Sequence, residues 1–464
     1  MNHTPPTTAK DDFGGATAEA VLEPPSVVVP VVGAHMGNAE RRRSDRGTIP
    51  PPGSTHCAEP IQFNTTLLPV LHTDIPVRVL HVYKTFFPDS VGGLEHAIAQ
   101  MVESTQPLGI ENRILSVSNN PVPARDMRRG AEHFRYLETV SVASNSMSIG
   151  LMRAFGEHAK WADVIHYHFP WPFADLLHLA WRVRKPSLVT YHSDIVRQRN
   201  LMFLYQPVMR AFLDRVDRIV ATSPNYVNTS DVLQHYRDKT EVIPIGLNPA
   251  CYPPACQSVR DKWEQKVGRD FFLFVGVIRY YKGLHILLDA VQGTQLPVII
   301  VGAGPIEQEL RERATELGLH HVRFLGALPE EDKVALLELS AAVVFPSHMR
   351  SEAFGVTLLE GAVFGKPLIS SEIGTGTSYV NVDDETGIVV QPHDPMALRN
   401  AMLRLAADPA LRQRLGAGAR RRFEKIFTAK RMAARYAETY GELLGYSDLV
   451  AVSRGVAETQ CTPS

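Results

Sequence analysis

Cysteine is scarce in this chain, which has 4 cysteines among 464 residues. Cys57, Cys251, Cys256 and Cys461 form no CxxC pair, and the first and last of them lie in tail-like sequence. We therefore expect neither a disulfide framework nor a zinc site with cysteine ligands. A reducing compartment such as the cytoplasm fits this cysteine usage best.

Long apolar runs and an excess of either charge are also missing. The stretch SVVVPVVGA at 26–34 is short, is interrupted by Pro30 and follows acidic residues, so neither a cleavable signal nor a membrane-spanning helix is expected. The 48 basic residues nearly balance the 49 acidic ones, and the formal net charge is −1. This balance argues against a nucleic-acid partner, and any basic binding site must be local.

The first part of the chain, residues 1–74, lacks a sustained hydrophobic period. It is rich in proline, threonine, alanine and glycine, and it contains the basic run RRR at 41–43. We predict that this part is a disordered extension. A targeting peptide is the alternative, and the scattered acids and prolines argue against it.

From Val77 onward, strand-like apolar segments alternate with segments of helical period. VRVLHVYKTFFPDSVGGLEHAIAQ reads as a strand, a loop and a helix, and the pattern restarts at FFLFVGVIRYYKG after a connector rich in proline, glycine and asparagine. This alternation predicts an α/β fold of two doubly wound, Rossmann-like domains facing a cleft, where the ligand lies at the carboxyl ends of the strands. The expected segments are 75–246 for the first domain, 257–426 for the second, 427–446 for a helix packing back on the first domain, and 447–464 for a tail.

The segment VIIVGAGPIEQEL has the start of a dinucleotide-binding fingerprint, because Gly302 and Gly304 follow a strand and open a helix. Glu307 stands where the third glycine is required, and the next strand, VRFLG, ends without the acid that holds a ribose hydroxyl. We therefore favour a tight strand-to-helix turn over an oxidoreductase.

Two basic residues follow the strand in GVIRYYKG. Arg279 and Lys282 place two positive charges just past a buried strand, where they could neutralise a diphosphate and the charge that grows on its bridging oxygen. The alternative, a solvated arginine and lysine at a strand end, stays open on these two residues alone.

Two carboxylates bracket the apolar stretch SEAFGVTLLEGAVFGKP. Glu352 precedes a predicted helix and can face the cleft, whereas Glu360 lies inside the helix and could accept both hydroxyls of a ribose. Only Ser351 and Glu352 could cap the start of this helix, so its first backbone amides would attract a phosphate. The alternative is that Glu352 caps the helix and Glu360 faces solvent, but the apolar neighbours leave little solvated face.

The loop EIGTGTSYV and several strand-end histidines add polar groups. Gly374 and Thr375 provide an amide and a hydroxyl suited to phosphate oxygens. His168 and His192 each end a strand on the cleft side, a place where a lone histidine more often serves structure than catalysis. No metal site is expected, on the interpretation that His166 and His168 project to opposite faces of their strand.

Over about 77–445 the chain resembles the retaining GT-B glycosyltransferases, a class that includes bacterial mannosyl- and glucosyltransferases of cell-surface polysaccharide assembly. The most specific shared element is the E-(seven residues)-E segment in PS…SEAFGVTLLEGAVFGKPLI. The resemblance implies that Glu352 contacts donor-sugar hydroxyls, Glu360 the nucleotide ribose, and Arg279 with Lys282 the diphosphate. It places His192, in TYHSD, near the donor sugar and the reaction centre.

The resemblance also implies donor contacts along the backbone of both domains. These positions are Gly92, Gly93, Gly326, Leu328, Gly355, Val356, Gly374 and Thr375. This chain departs from the family pattern in two places. In the loop that usually reads G-G-x-x-E-x-V, Thr375 replaces the second glycine and Ser378 replaces the glutamate, and Asn248 stands where an aspartate is common.

We therefore expect a metal-independent enzyme that moves a hexosyl group from a nucleoside-diphosphate sugar, with GDP-mannose or GDP-rhamnose favoured, to a glycan or lipid-linked acceptor. We expect no cofactor besides the nucleotide-sugar co-substrate, and we expect the protein to be located in the cytoplasm. The alternatives are a glycoside hydrolase using Glu352 and Glu360, a sugar-nucleotide epimerase, and a nucleotide-sugar-binding scaffold. The segment RQRNLMFLYQPVMRAFLDRVDR at 197–218 allows two interpretations. It could contact the inner face of the plasma membrane peripherally, or it could form an ordinary amphipathic helix pair that packs on the core.

Overall fold

The computed structural model describes residues 76–142, 145–195 and 199–458. The predicted disordered extension, 1–74, lies outside the described residues, as do Cys57 and Cys461. The described strands are β1 (Val77–Val82), β2 (Ile110–Ser118), β3 (Arg125–Arg128), β4 (Ala131–Leu137), β5 (Val140–Val142), β6 (Asn145–Met147), β7 (Val164–Phe169), β8 (Ser187–Tyr191), β9 (Arg218–Ala221), β10 (Thr240–Val242), β11 (Phe272–Val275), β12 (Val298–Val301), β13 (Val322–Gly326), β14 (Ala342–Phe345), β15 (Leu368–Ser371) and β16 (Gly387–Val390).

Helices connect these strands and cover the faces of the sheets. The described α-helices are α1 (Gly93–Thr105), α2 (Ile149–Trp161), α3 (Pro172–Ala180), α4 (Arg199–Arg215), α5 (Pro224–Thr229), α6 (Asp231–His235), α7 (Gln257–Val267), α8 (Leu284–Val291), α9 (Glu307–Glu316), α10 (Glu330–Leu339), α11 (Val356–Val363), α12 (Thr377–Val380), α13 (Pro395–Ala407), α14 (Pro409–Ile426), α15 (Ala429–Leu444) and α16 (Ser447–Glu458).

The first sheet has the strand order β10-β9-β8-β7-β1-β2-β4-β3 within the described residues. Its strands pair in parallel except for β3, which runs antiparallel to β4 at one edge, while β5 and β6 form a separate hairpin. The connections diverge between β1 and β7, because β1 leads outward to β2 on one side and β7 leads outward to β8 on the other. Ligands of doubly wound sheets bind at such a switch point.

The second sheet has the order β13-β12-β11-β14-β15-β16, and all of its described strands are parallel. This is the strand order of a Rossmann fold, with its switch point between β11 and β14. Every residue of β11, β12 and β14 is buried, as expected for parallel strands that helices cover on both faces. The predicted α/β fold with two doubly wound domains is confirmed.

The glycines of VGAGP serve close packing between strands. A Cβ on Gly302 would lie 1.9 Å from the carbonyl oxygen of Gly276, and one on Gly304 would lie 2.0 Å from that of Ile278. The same two segments exchange backbone hydrogen bonds, with the Ile278 amide donating to Ala303 at 2.9 Å. The prediction of a tight turn in place of a dinucleotide fingerprint is therefore consistent with the observed packing.

The C-terminal helices lie on the first sheet's side of the molecule. Helix α15 packs against α1 and β7, and the hydroxyl of Tyr440 bonds to His166 on β7 at 2.8 Å. Residues 447–464 were expected to be a tail, but Ser447–Glu458 form α16, which packs along α15. The reason is an apolar stripe on α16, where Leu449 is 2% exposed against α15.

Candidate functional site

The cleft-facing loops of the second domain follow β11 and β14, the two strands at its switch point. Arg279 and Lys282 lie in the loop after β11, and Glu352 lies in the loop after β14. From the first domain, the glycine loop before α1 approaches the start of α11: a Cβ on Gly93 would lie 3.7 Å from Cγ2 of Val356. The fold thus brings the predicted glycine loop of the first domain to the start of α11 in the second.

Lys282 and Glu352 form an ion pair across the two loops. Nζ of Lys282 donates to Oε2 of Glu352, and the hydroxyl of Ser347 donates to the same oxygen at 3.3 Å. Burial acts to lower the pKa of Lys282, but the charge of Glu352 and the hydrogen bond to it outweigh burial, so the pKa is raised. Lys282 therefore keeps its positive charge at neutral pH, and it holds the carboxylate of Glu352 in place.

Glu360 has a lysine partner of its own on a different helix. Nζ of Lys333 on α10 donates to Oε1 of Glu360 at 2.8 Å, and the hydroxyl of Tyr252 donates to the same oxygen at 3.2 Å. Burial acts to lower the pKa of Lys333, and the charges of Glu360 and Glu330 more than compensate, so this pKa is raised. Glu360 is 8% exposed, which rules out the alternative in which it faces solvent.

Helix α11 begins at a position that only glycine adopts easily. Gly355 is its N-cap with φ of 90°, and no side chain caps the helix. The expected caps from Ser351 and Glu352 are not formed, since Glu352 is held by Lys282. The amides of the first turn, at Val356 and the residue after it, have no capping side chain, so the positive end of the helix faces the cleft region.

Gly361 explains how α11 lies so close to the sheet. A Cβ at this position would lie 2.8 Å from Cγ2 of Val343 on β14 and 2.9 Å from Cδ2 of Leu368 on β15. Thr357 also bonds to the carbonyl of Val275 at the end of β11 at 3.1 Å. These contacts fix the helix start relative to the strand ends that carry the basic pair.

Arg279 is exposed at the start of the turn that contains Lys282. Its charge opposes protonation of two lysines: Lys282, and Lys84 in the loop after β1 of the first domain. Burial lowers the pKa of Lys84, the nearby Glu95 acts to raise it, and Arg279 adds to the lowering. Arg279 therefore acts electrostatically on one lysine in each domain, and we expect this positive charge to favour an anionic ligand.

His192 is buried after the end of β8. Its Nε2 lies 3.1 Å from Nδ1 of His168, and its Nδ1 is buried with no hydrogen-bonding partner among the described residues. Burial lowers the pKa of His192 to about 3, so the ring is neutral at physiological pH. It can therefore act as a hydrogen-bonding group but not as a cation.

The interpretation that His166 and His168 point to opposite faces is wrong, because residues two apart on a strand share a face. Their ring centroids lie 4.4 Å apart, and with His81 they form a buried trio whose nearest nitrogens lie within 4.8 Å of one another. Both ring nitrogens of each histidine have hydrogen-bonding partners in the protein. These hydrogen bonds account for the burial of all three rings.

The remaining predicted donor contacts lie at the edges of this region. Gly326 ends β13 with φ of 73°, and its carbonyl accepts the Gly302 amide at 2.8 Å. Leu328 packs on the second domain's core, and a Cβ on Gly92, the N-cap of α1, would lie 2.7 Å from Oε2 of Glu95, the end of a flexible side chain. Their contacts with a donor stay predictions.

Two family models match the two domains in turn. The description "Glycosyltransferase Family 4" matches residues 91–250, and "Glycosyl transferases group 1" matches residues 257–422. The chain is 54% identical over 353 residues to "D-rhamnosyltransferase WbpZ" of Pseudomonas aeruginosa, covering 76% of this chain and 93% of that one. It is 48% identical over 372 residues to "O-antigen chain mannosyltransferase C" of Escherichia coli, covering 79% and 99%.

The chain belongs to the group 1 and family 4 glycosyltransferases. Solved structures of similar fold include HepE from Anabaena in complex with UDP, with a TM-score of 0.64, 18% identity and coverage of 79% of this chain and 100% of that one. Sucrose-phosphate synthase from Thermosynechococcus elongatus has a TM-score of 0.65, 22% identity and coverage of 80% and 99%. The fold of this glycosyltransferase is thus GT-B.

In this glycosyltransferase the altered loop after β15 joins the two domains. Ser378, at the position where the family usually has an acid, accepts a hydrogen bond from Asn225 of the first domain at 3.1 Å. The carbonyl of Gly374 accepts from Arg350 at 3.0 Å, and the Gly374 amide donates to Glu372 at 2.9 Å. Thr375 is fully buried and faces Thr377.

Two lysines of this candidate site were not predicted from the sequence. Lys84 lies just past the end of β1, and this position at a strand end was the available signal. Lys333 lies in a helix with mixed charges, EEDKVALLEL, so nothing in its local sequence distinguishes it from an ordinary surface lysine. Only the tertiary fold brings it to Glu360.

Proposed function

We propose that this glycosyltransferase moves a mannosyl or rhamnosyl group from a GDP-sugar to a hydroxyl of a glycan or lipid-linked acceptor in cell-surface polysaccharide synthesis. The observation that carries this proposal is the pair of relatives that align over nearly their whole length, one a rhamnosyltransferase and the other an O-antigen mannosyltransferase. Mannose and rhamnose differ by one hydroxyl group, so the two relatives point to the same class of donor.

The arrangement of charges supports a nucleoside-diphosphate sugar as donor. Arg279, Lys282 and Lys84 would neutralise the diphosphate, together with the free amides at the start of α11. Glu360 accepts both of its protein hydrogen bonds on Oε1, and we assign its second oxygen to the ribose hydroxyls. Glu352, held by Lys282, would contact the hydroxyls of the sugar. Gly92 and Gly93 would let the donor approach the backbone of the first domain.

The proposed reaction retains the anomeric configuration. The bond between the anomeric carbon and the phosphate oxygen breaks, and the acceptor oxygen bonds to the same face of that carbon. The acceptor proton passes to the departing phosphate oxygen, so the nucleoside diphosphate leaves with it. His192 is neutral and buried, which suits it for orienting the sugar in preference to carrying a charge.

Fixed cations take the role that a divalent metal has in other sugar transferases. Negative charge grows on the leaving diphosphate, and preorganised positive charges stabilise it most where water is excluded. Arg279, Lys282 and Lys84 supply such charges from both sides of the cleft region. We therefore propose a metal-independent reaction, with the nucleotide sugar as the co-substrate.

A peripheral membrane contact fits the surface of α4. Phe203 and Leu204 are 80% and 71% exposed on this helix, which also presents the exposed Arg210 and Arg215. Exposed apolar residues beside arginines suit an anionic lipid surface. Among the described residues, every helix is too short or too polar to cross a bilayer. We propose that the enzyme works at the inner face of the plasma membrane.

A donor panel tests the proposed function. The protein is mixed with GDP-mannose, GDP-rhamnose, UDP-glucose and UDP-galactose, first in a thermal-shift assay and then with lipid-linked acceptors and mass spectrometry of the product. We expect the GDP-sugars to raise the melting temperature, and the product to gain one hexose or deoxyhexose with and without EDTA. A shift with UDP-sugars alone would overturn the GDP assignment, and loss of activity in EDTA would overturn metal independence.

A further inference from the structure

A ladder of hydrogen-bonded side chains crosses four neighbouring strands of the first sheet. It begins at Asn112 on β2, passes through His81 on β1 and His168 on β7, and ends at His192 just after β8. The donor–acceptor distances along it are 3.0, 3.2 and 3.1 Å. All four side chains are buried, so the ladder connects the interior of the sheet with the residue that the proposed function places beside the sugar.

The orientation of the Asn112 amide is fixed by its surroundings. Its Nδ2 lies 3.3 Å from the carbonyl oxygens of Val102 and Ile110, and 3.2 Å from the hydroxyl oxygen of Thr105. Thr105 gives its own proton to a backbone carbonyl of α1, so its oxygen is an acceptor here. A reversed amide would place oxygen against oxygen at these contacts. Oδ1 of Asn112 must therefore face His81, where it can only accept a hydrogen bond.

This acceptor sets the polarity of each following bond. His81 must carry its proton on Nε2 to donate to Asn112, and because burial lowers its pKa to about 4, the ring is neutral and Nδ1 is bare. Nδ1 of His81 accepts from Nε2–H of His168, which leaves Nδ1 of His168 as the acceptor for Nε2–H of His192. Each neutral imidazole has one N–H, so one choice at Asn112 fixes three rings.

The ladder ends in a free lone pair. Nδ1 of His192 is buried, and it has no hydrogen-bonding partner in the part of the chain that the structure describes. We propose that Asn112 is a positioning residue that, through His81 and His168, holds His192 with a bare Nδ1, which accepts a hydrogen bond from a hydroxyl of the transferred sugar. The identity of the ligand as a sugar rests on the proposed function, whereas the position of the proton on His192 rests only on the hydrogen bonds of the ladder.

The reversed arrangement is disfavoured by simple hydrogen-bond physics. If His192 carried its proton on Nδ1, either its Nε2 would face a bare nitrogen of His168 or all three rings would have to reverse against the fixed amide of Asn112. Either arrangement leaves a further buried nitrogen or oxygen without a proper partner, which is destabilising. His166 does not compete, because its two nitrogens bond to Tyr440 and Thr190.

The proposal has a consequence for donor choice. A sugar hydroxyl can donate a hydrogen bond to a buried, unprotonated nitrogen. A sugar that lacks this hydroxyl leaves the nitrogen without a partner. GDP-mannose and GDP-D-rhamnose differ by one hydroxyl, and other deoxy analogues of mannose remove the remaining hydroxyls in turn. The enzyme should therefore discriminate against the analogue that lacks the hydroxyl facing His192, and this discrimination should depend on Asn112.

Histidine-selective 15N NMR of the ligand-free protein tests the ladder directly. We expect His192, assigned with His192→Gln, to show a protonated Nε2 and a bare Nδ1. The variant pair is Asn112→Leu, which cannot accept, and Asn112→Asp, whose buried carboxyl group in protonated form retains both an acceptor and a donor. Asn112→Leu should mix the two tautomers of His192, and Asn112→Asp should preserve the wild-type pattern. A proton on Nδ1 of His192 in the wild-type protein would overturn the proposal without the use of any variant.

Kinetics with the same pair separate positioning from a general loss of structure. Asn112→Leu should lower kcat/KM for the preferred donor about tenfold and have little effect on its deoxy analogue, with Asn112→Asp restoring the difference. An equal loss for all donors would indicate a merely structural role and contradict the proposal. If no nucleotide sugar reacts but the NMR pattern is as expected, the proposed function fails and the ladder stands.

Discussion

The guanidinium group of Arg350, in the second domain, donates a hydrogen bond to Oδ2 of Asp194, in the first, over 3.2 Å. The same arginine donates to the hydroxyl of Thr229 at 2.9 Å and to the carbonyl of Gly374 at 3.0 Å, and it lies 5.1 Å from the ring of Tyr226. We call this group the Arg350 clasp. It connects the loop after β14 with α5 of the first domain, and it lies beside the loop after β15 that departs from the family pattern.

The Arg350 clasp should couple the two domains measurably. We expect a double-mutant cycle of Arg350→Met and Asp194→Asn, followed by urea unfolding, to give a coupling free energy of about 1 kcal/mol, because the pair is only partly exposed. The matched control is the same cycle with Arg414→Met and Asp384→Asn, an exposed ion pair inside the second domain. A coupling no larger than that of the control pair would contradict a role for the clasp.

Glu360→Gln should weaken nucleotide binding. Glutamine keeps the shape of Glu360 but loses the negative charge that attracts Lys333 and strengthens hydrogen bonds from the ribose hydroxyls. We therefore expect the Kd for the nucleotide to rise about tenfold. Isothermal titration with GDP measures this. Glu330→Gln is the control, because Glu330 also pairs with Lys333 but its side chain is 48% exposed. Equal affinities of wild type and Glu360→Gln would remove Glu360 from the donor site.

Arg279→Ala should act mainly on turnover. The arginine is exposed and free to meet charge that grows on the leaving diphosphate, so we expect kcat to fall about a hundredfold with a smaller change in KM. Steady-state kinetics with the best donor measure both constants. Arg269→Ala, which breaks an exposed pair with Glu264, serves as control. If KM alone changed, Arg279 would be a binding residue without a part in bond breaking.

Stability should fall in mild acid because many histidines are buried in the neutral form. Burial is the first cause that lowers the pKa of several of them to about 4: His81, His133, His158 and His178. Their stabilising contribution is complete above the unfolded-state pKa of about 6.5, and it is lost progressively as the pH falls from there to the folded-state value. Asp175 acts in the opposite sense, since burial raises its pKa.

Urea unfolding between about pH 7.5 and pH 4.5 measures this loss. The variant His178→Phe keeps an aromatic ring between Tyr167 and Phe212 and removes one titrating group. It should reduce the slope of unfolding free energy against pH by up to about 1.4 kcal/mol per unit. An unchanged slope would mean that His178 does not titrate on unfolding in this range.

Removal of the apolar residues of α4 should weaken membrane contact. We expect Phe203→Ser with Leu204→Ser to reduce flotation with vesicles of anionic lipid at low salt, since both side chains are exposed. Leu403→Ser, at a 42% exposed position in the second domain, is the matched control. Failure of the wild-type protein to float with anionic vesicles would dispose of the membrane proposal.

Much of the fold could be predicted from the sequence because parallel sheets impose a strong local pattern. The buried strands FLFV, VIIV and AVVF are apolar throughout, and each is followed by a loop and a helix. The segment around Glu352 and Glu360 stood out for the same reason, since acids at the ends of an apolar stretch are unusual. Local pattern was sufficient where the residues that decide the structure are neighbours in sequence.

The partners of these acids could not be predicted, because they come from distant parts of the chain. Lys333 reaches Glu360 from another helix, and the charge of Arg279 acts across the domains on Lys84. The histidine ladder was missed for a different reason: His166 and His168 were assigned to opposite faces, so their packing with His81 was not considered. The C-terminal helix α16 was missed because its apolar stripe is short and follows a glycine.

The hydroxyls of Tyr436 and Tyr440, which complete the polar interior of the first sheet, belong to α15. They bond to Thr190 and His166, which lie 246 and 274 residues earlier in the chain. During synthesis, the first domain therefore leaves the ribosome long before the helix that covers it. Until residues 429–444 have been made, this apolar and histidine-rich surface is open, and release of the nascent chain before that point would yield an aggregation-prone fragment in place of an independent domain.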